Sequence, residues 1–429
     1  MRPPALLLPA APALLLAAYL LLRGAPPPPP RRITLSSAAT PPSPASAFRR
    51  PTPLPAVRAA AAAYFPAMFD GTPTALPNAF LEGDANPCWR VGAQKHCLPA
   101  FLLLGVYQAG VRDLYCRLLR HPGVARRPAS SPSYYSQVRP DWPSYVRGMH
   151  DSVDAGRLIG EASAVTFHFI WVHQEKFNQP YVEAMGRFWR ECNARTNAQK
   201  LEVPHRDCMA RRMPEAREAD AAMARKAGLP MHPDKGAVAQ ERTFNVPQLM
   251  RAAYGERSPL LIVMLRLPWR RMHSAFWNYV HYRNRFGASA EGESKWAAES
   301  VAAFRRCEAN FTTDQCALSF ESLTRENEEV FYHCDQLIKG MYHVFMPRWK
   351  QEFSRILALR AEQYYSSTRQ VLERVIDFLG LQPPANRSGW SELLSPAKQV
   401  AGYRPKDAAA PLKRHPTCTD GVAKREGGS

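Results

Sequence analysis

The run PLLIVMLRLPWRRMHSAFWNYV, Pro259 to Val280, constrains the fold more than any other stretch of this chain. Leu260 to Leu265 is short and wholly apolar, which suits a central strand of a parallel sheet, buried on both faces. Arg266 stands at the C-terminal end of that strand. Pro268 stops the strand and is compatible with the first turn of a helix, in which Met272, Phe276 and Tyr279 recur at helical spacing. Ser274 falls about one turn into that helix. Ligands of open α/β sheets bind at the carboxyl ends of the strands, and a planar guanidinium suits phosphate. Arg266 with Ser274 therefore reads as an anion clamp, the alternative being an arginine simply solvated at a strand end.

A second strand-to-helix junction lies upstream. Ala100 to Gly105 is apolar, and VYQAGVRDLYCRLLRHP after it opens an amphipathic helix with Leu114, Leu118 and Leu119 on one side. Backbone N–H groups at such a turn point at an anion whatever the side chains.

The ends and the composition bound the setting. Residues 5–22 form an uncharged apolar stretch between Arg2 and Arg23, just long enough to span a bilayer. A cleaved signal peptide is the alternative, but cleavage after Ala25 would leave Pro26 at the new N-terminus, which favours an uncleaved signal anchor. The expected organisation is a cytoplasmic tail and membrane anchor over 1–25 and a Pro-rich extended stem over 26–63. A lumenal domain over 64–405 follows, with 174–257 as an insertion on its surface, and then a polar tail over 406–429. The net charge of +19 would suit nucleic acid, but the arginines are dispersed and the secretory signals argue against that partner. The chain has 9 cysteines and no CxxC spacing, so no metal site is expected from them. The sequons at Asn310 and Asn386 permit a lumenal location.

LIVMLRLPWRRMHS, with Arg266, Pro268, Arg271 and Ser274, resembles the 3′-phosphate motif of the Golgi carbohydrate sulfotransferases. Three further stretches agree in order with the N-acetylgalactosamine 4-sulfate 6-O-sulfotransferase branch. They are NPCW to DLYCRLLRHP (Asn86 to Pro122), LIGEAS (Leu158 to Ser163), and FRRCEANFTTDQC with KGMYHVFMPRW (Phe304 to Trp349). The resemblance implies an α/β fold, a mainly parallel sheet with flanking helices and a P-loop-like nucleotide site. It also implies sulfonate transfer from 3′-phosphoadenosine 5′-phosphosulfate to a glycan hydroxyl in the Golgi lumen, with no metal. Arg266 and Ser274 would hold the 3′-phosphate, and Gln108, Ala109, Gly110, Val111 and Arg112 the 5′ end. Lys398, Gly402 and Tyr403 resemble a worn late nucleotide-covering loop. Cys88 with Cys97 and Cys307 with Cys316 fall where the family pairs cysteines, and Cys192 with Cys208 is a plausible third pair.

Two departures from the family pattern matter. Its 5′ loop reads K-x-G-T-T-D-L-Y, where this chain has Gln108 for the Lys and Val111 and Arg112 for the Thr pair. Its next element supplies a Glu as general base, and Ser131 stands in that register. A competent site then needs substitutes: Arg112 as cation and Glu161, read at a strand end facing the cleft, as base, with His168, His173 and His273 as further base candidates. A catalytically degenerate relative that binds nucleotide or anionic glycan is the first alternative. A type II glycosyltransferase is the second, disfavoured because no D-x-D occurs.

Overall fold

A computed structural model describes residues 51–125, 134–136, 141–149, 156–168, 245–309, 312–318 and 334–395, with short helical pieces between 187 and 222. The signal anchor, most of the stem, Ser131, His173, Asn310, Lys398, Gly402 and Tyr403 lie outside the described residues. Among the described residues no helix is long and apolar enough to cross a membrane.

The strands among the described residues are β1 (Cys88–Val91), β2 (Gln94–Cys97), β3 (Phe101–Gly105), β4 (Gly160–Ala162), β5 (Leu260–Leu265) and β6 (Ile356–Arg360). The helices in chain order begin with α1 (Leu54–Tyr64), α2 (Val111–Leu118), α3 (Trp142–Arg147) and α4 (Val246–Tyr254). Next come α5 (Pro268–Asn278), α6 (Val280–Phe286), α7 (Ala290–Glu308) and α8 (Thr313–Leu318). The last are α9 (Tyr342–Glu352), α10 (Ala361–Ser366), α11 (Thr368–Phe378) and α12 (Arg387–Leu394).

The fold is α/β. Four parallel strands form the sheet in the order β4-β3-β5-β6, with Leu102 opposite both Glu161 and Leu261, and Ile262 opposite Leu357. Strands β3 and β5 are central, so both their faces are covered and their sequences are unbroken apolar runs. From β3 the chain passes to β4 on one side, whereas from β5 it passes to β6 on the other. The crevice between the C-terminal ends of β3 and β5 is thus a topological switch point, where open α/β sheets bind ligands. Strands β1 and β2 form a separate antiparallel hairpin whose paired residues Cys88 and Cys97 are joined by a disulfide. Cys192–Cys208 and Cys307–Cys316 are also bonded.

Two expected boundaries shift. The folded part begins inside the stem, because Leu54–Tyr64 is a helix that packs on α4 and buries Val57, Ala60 and Ala61. Its Ala-rich composition looks like a linker, yet alanine is the strongest helix former once one face is covered. The surface insertion is also too long at its C-terminal end. Helix α4 buries Val246, Leu249, Met250, Ala252, Ala253 and Tyr254 in the core. Asn245 and Gln248 form its reciprocal capping box, each side chain bonding the other's backbone N–H at 3.0 Å.

Strand β4 meets β3 closely because Gly160 carries no side chain. A Cβ there would lie 2.2 Å from the Phe101 ring, which is fully buried and has no space to retreat into. We expect Gly160→Ala to cost about 1–3 kcal/mol by overpacking, read as a lower denaturation midpoint. An unchanged midpoint would contradict the close approach of β3 and β4.

Candidate functional site

Arg266 leaves the end of β5 and reaches across the switch point. Its Nη1 donates to the backbone carbonyl of Gln108 (2.6 Å), in the loop after β3, and to Ser274 Oγ (2.9 Å), on α5. One guanidinium nitrogen therefore ties both strand-to-helix junctions, leaving the Nε and Nη2 donors of the same planar fork for a ligand. Arg266 is held from behind as well, since Tyr342 Oη donates to its backbone carbonyl at 2.7 Å. Arg266, Ser274, Gln108 and Gly110 are all half-buried, as a clamp open to solvent requires.

The loop geometry follows from this bond. Gln108 has φ 64°, a left-handed conformation that a non-glycine residue adopts at a cost of about 1–3 kcal/mol unless its surroundings impose it. Here the Arg266 bond fixes its carbonyl. Gly110 (φ 91°) is the N-cap of α2, and no side chain caps the first turn. The leading N–H groups of α2 lack partners within the helix and carry the positive end of its dipole, which suits an anion. Arg112, second in the helix, is exposed on this turn.

Helix α10, following β6, closes the arrangement from the far side of β5. Glu362 Oε1 accepts from the Leu267 N–H (2.9 Å) at the start of α5, and Tyr364 Oη donates to Asp113 Oδ2 on α2. The Tyr365 hydroxyl sits over Gly110, where an added Cβ would lie 2.4 Å from it. Partial desolvation of its hydroxyl, with the Asp113 carboxylate nearby, raises the Tyr365 phenol above its ordinary range, although more than half of the residue is exposed. Tyr342, Glu362, Tyr364 and Tyr365 were missed in the sequence. The available signal was the apolar β6 run followed by RAEQYY, a third strand-to-helix junction.

Several expected residues have other surroundings. Glu161 does not face the cleft: it lies opposite Leu102, well short of the end of β3, and is 1% exposed. Its carboxylate accepts from Tyr145 Oη (2.6 Å), beside the buried phenols of Tyr135 and Tyr254. This shielding corrects the reading of Glu161 as a strand-end carboxylate facing the cleft. Arg271, the second arginine of the motif, is fully buried and donates to the side chain (2.9 Å) and backbone carbonyl of Gln336. His168 is fully buried against Phe167, Tyr342 and Phe345 and has no access to a substrate. His273 is different. Its side chain is 46% exposed, and Nδ1 lies 2.9 Å from the buried carboxylate of Glu293, which also accepts from Trp277 Nε1 (3.0 Å). No group of three or more metal-ligating side chains occurs among the described residues.

Comparison with known proteins gives distant likenesses. Carbohydrate sulfotransferase 15 of Mus musculus is 27% identical over 149 residues, which cover 34% of this chain and 24% of that protein. The match thus spans about a quarter of the relative's length. No protein-family model matches the chain. Among solved structures, a sulfotransferase from Alicyclobacillus acidocaldarius gives a TM-score of 0.29 at 17% identity, covering 69% of this chain and 90% of that one. The sulfotransferase domain of the Synechococcus PCC 7002 olefin synthase gives 0.25 at 14% identity, covering 79% and 90%. Scores this low leave the description of the fold to the sheet order itself.

The buried histidine sets a pH dependence. Burial first, then the Arg271 and Lys339 cations, holds the His168 imidazole well below its ordinary value of 6.5. Between those two values the unfolded chain binds more protons than the folded one, so stability falls as pH falls. We expect unfolding free energy to drop between about pH 7 and about pH 5, and the slope to flatten in His168→Phe. Denaturant titrations at both pH values check this; identical slopes in parent and variant would contradict it.

Proposed function

We propose that this chain transfers sulfonate from 3′-phosphoadenosine 5′-phosphosulfate to a hydroxyl of a glycan, in the Golgi lumen. The observation that carries the reading is Arg266 bonded to both Gln108 O and Ser274 Oγ at the switch point. In this reading Arg266 and Ser274 hold the 3′-phosphate. The 5′ end lies against the backbone of Gln108, Ala109, Gly110, Val111 and Arg112, with Lys398, Gly402 and Tyr403 as further contacts. The acceptor hydroxyl oxygen forms a new bond to sulfur as the sulfur–oxygen bond to the 5′-phosphate breaks. The hydroxyl proton passes to a base, and 3′-phosphoadenosine 5′-phosphate leaves. The Arg112 guanidinium, on the turn that meets the sulfonate, supplies the cation. His273, exposed and oriented by Glu293, is the base in this reading.

A second reading is supported by Gln108, which brings no charge to the position where the resembled family has Lys. In that reading the chain binds the nucleotide or an anionic glycan without transferring sulfonate. The two readings share the clamp and differ only in chemistry.

Calorimetric titration with 3′-phosphoadenosine 5′-phosphate tests the clamp. Arg266→Ala is expected to lose about 1.5–3 kcal/mol of binding with the fold intact, the worth of hydrogen bonds from a charged group. Unchanged affinity would remove Arg266 from the site. Radiolabelled sulfate transfer to a panel of polysaccharides separates the two readings. An active parent is expected to fall by about 10²–10⁴ in His273→Ala, the usual worth of a general base. An inactive parent that gains transfer in Gln108→Lys with Ser131→Glu would select the degenerate relative.

A further inference from the structure

Helix α12 is held at its two ends in different ways. At the C-terminal end Arg117 Nη1, on α2, donates to the carbonyls of Leu393 (3.0 Å) and Leu394 (2.6 Å), and Arg120 Nη1 donates to that of Glu392 (3.1 Å). These carbonyls lack partners within the helix, so the two cations satisfy them and oppose the negative end of its dipole. The N-terminal end caps itself. Asn386 is the N-cap, with extended backbone (φ −138°, ψ 169°), and its Oδ1 accepts the Gly389 N–H at 2.9 Å. A side-chain amide has one accepting atom, so this bond also decides which way the group is turned and leaves Nδ2 as the other atom. That nitrogen has no hydrogen-bond partner among the described residues, and residues 385–388 are all exposed.

Asn386 also begins the sequon Asn386-Arg387-Ser388, in which neither the middle residue nor Gly389 after it is proline. A sugar on Nδ2 would leave Oδ1 an acceptor, so the cap and the sugar use different atoms of one side chain and do not compete. Position favours the attachment as well. A helix of 8 residues is about 12 Å long, which separates Asn386 from the α2 contact at the other end. That contact is made with the last turn of α2, whereas the crevice lies at its first turn.

We infer that Asn386 carries an N-linked oligosaccharide, attached at the cap of α12 without displacing the cap. The inference rests on the lumenal setting of the proposed function, because the donor is an oligosaccharide carried on a lipid diphosphate in the secretory lumen. In the transfer, Asn386 Nδ2 forms a bond to the anomeric carbon of that oligosaccharide. The bond from the same carbon to the diphosphate oxygen breaks, the lipid diphosphate leaves with the electron pair, and Nδ2 gives up one proton. Ser388 supplies the hydroxyl that the sequon requires.

The test translates the full chain in the presence of secretory microsomes, with Asn310→Gln to leave a single sequon, and adds protease from outside. The protected chain is expected to carry one increment on a gel that an N-glycosidase removes and that Ser388→Ala lacks. Release converts Asn386 to Asp, read by mass in the tryptic peptide Val375–Arg387. A protected chain with unmodified Asn386 would overturn the assignment and leave the lumenal reading standing. A chain digested by the protease would overturn both. The shared use of the side chain is tested on purified variants that both lack the sugar: Asn386→Ala is expected to unfold about 2–4 °C below Ser388→Ala, the usual worth of a cap in a domain of this size. Equal midpoints would overturn the division of Asn386 between cap and sugar.

Discussion

One guanidinium nitrogen joins the two strand-to-helix junctions at the centre of this sheet. Arg266 Nη1 bonds the Gln108 carbonyl after β3 and the Ser274 hydroxyl after β5, so neither junction can relax independently of the other. Hydrogen bonds from a charged donor contribute about 1.5–3 kcal/mol each, roughly twice the neutral value. That is enough to hold Gln108 in a left-handed conformation its side chain disfavours. The same bond settles what the crevice offers an anion: a fixed cation on one side and the uncapped N-terminus of α2 on the other.

Helix α10 makes this arrangement rigid. Within six residues it supplies a carboxylate to the start of α5 and a phenol to Asp113 of α2, and places a second phenol over Gly110. Asp113 in turn braces Arg117, which holds the end of α12. A chain of hydrogen bonds thus runs from α10 through α2 to the last described helix. In the proposed reading, a clamp supported in this way meets its ligand already shaped, which lowers the ordering cost of binding.

Parts of this were legible in the sequence for a physical reason. Strands β3 and β5 are buried on both faces, and that burial writes itself as unbroken apolar runs ending in a loop or an arginine. The Arg266–Ser274 contact spans eight positions across a single turn, so local spacing shows it. Glu161 was read at a strand end because Leu158 and Ile159 precede it. What buries it is Tyr145 and its neighbours, and a three-residue strand such as β4 is too short for periodicity to reveal its register. Tyr364 meets Asp113 across 251 positions, a distance no local pattern encodes. Helices α1 and α4 were hidden differently. Their compositions resemble a linker and an insertion, and only tertiary packing turns their apolar faces into core.

The pairing of a fixed cation with an uncapped helix start is the claim on which the functional reading turns, and a crystal structure with 3′-phosphoadenosine 5′-phosphate tests it most directly. The account requires the 3′-phosphate within hydrogen-bond distance of Arg266 and Ser274, and the 5′-phosphate against the backbone N–H groups at the start of α2. Nucleotide bound elsewhere, with Arg266 remote from either phosphate, would contradict it.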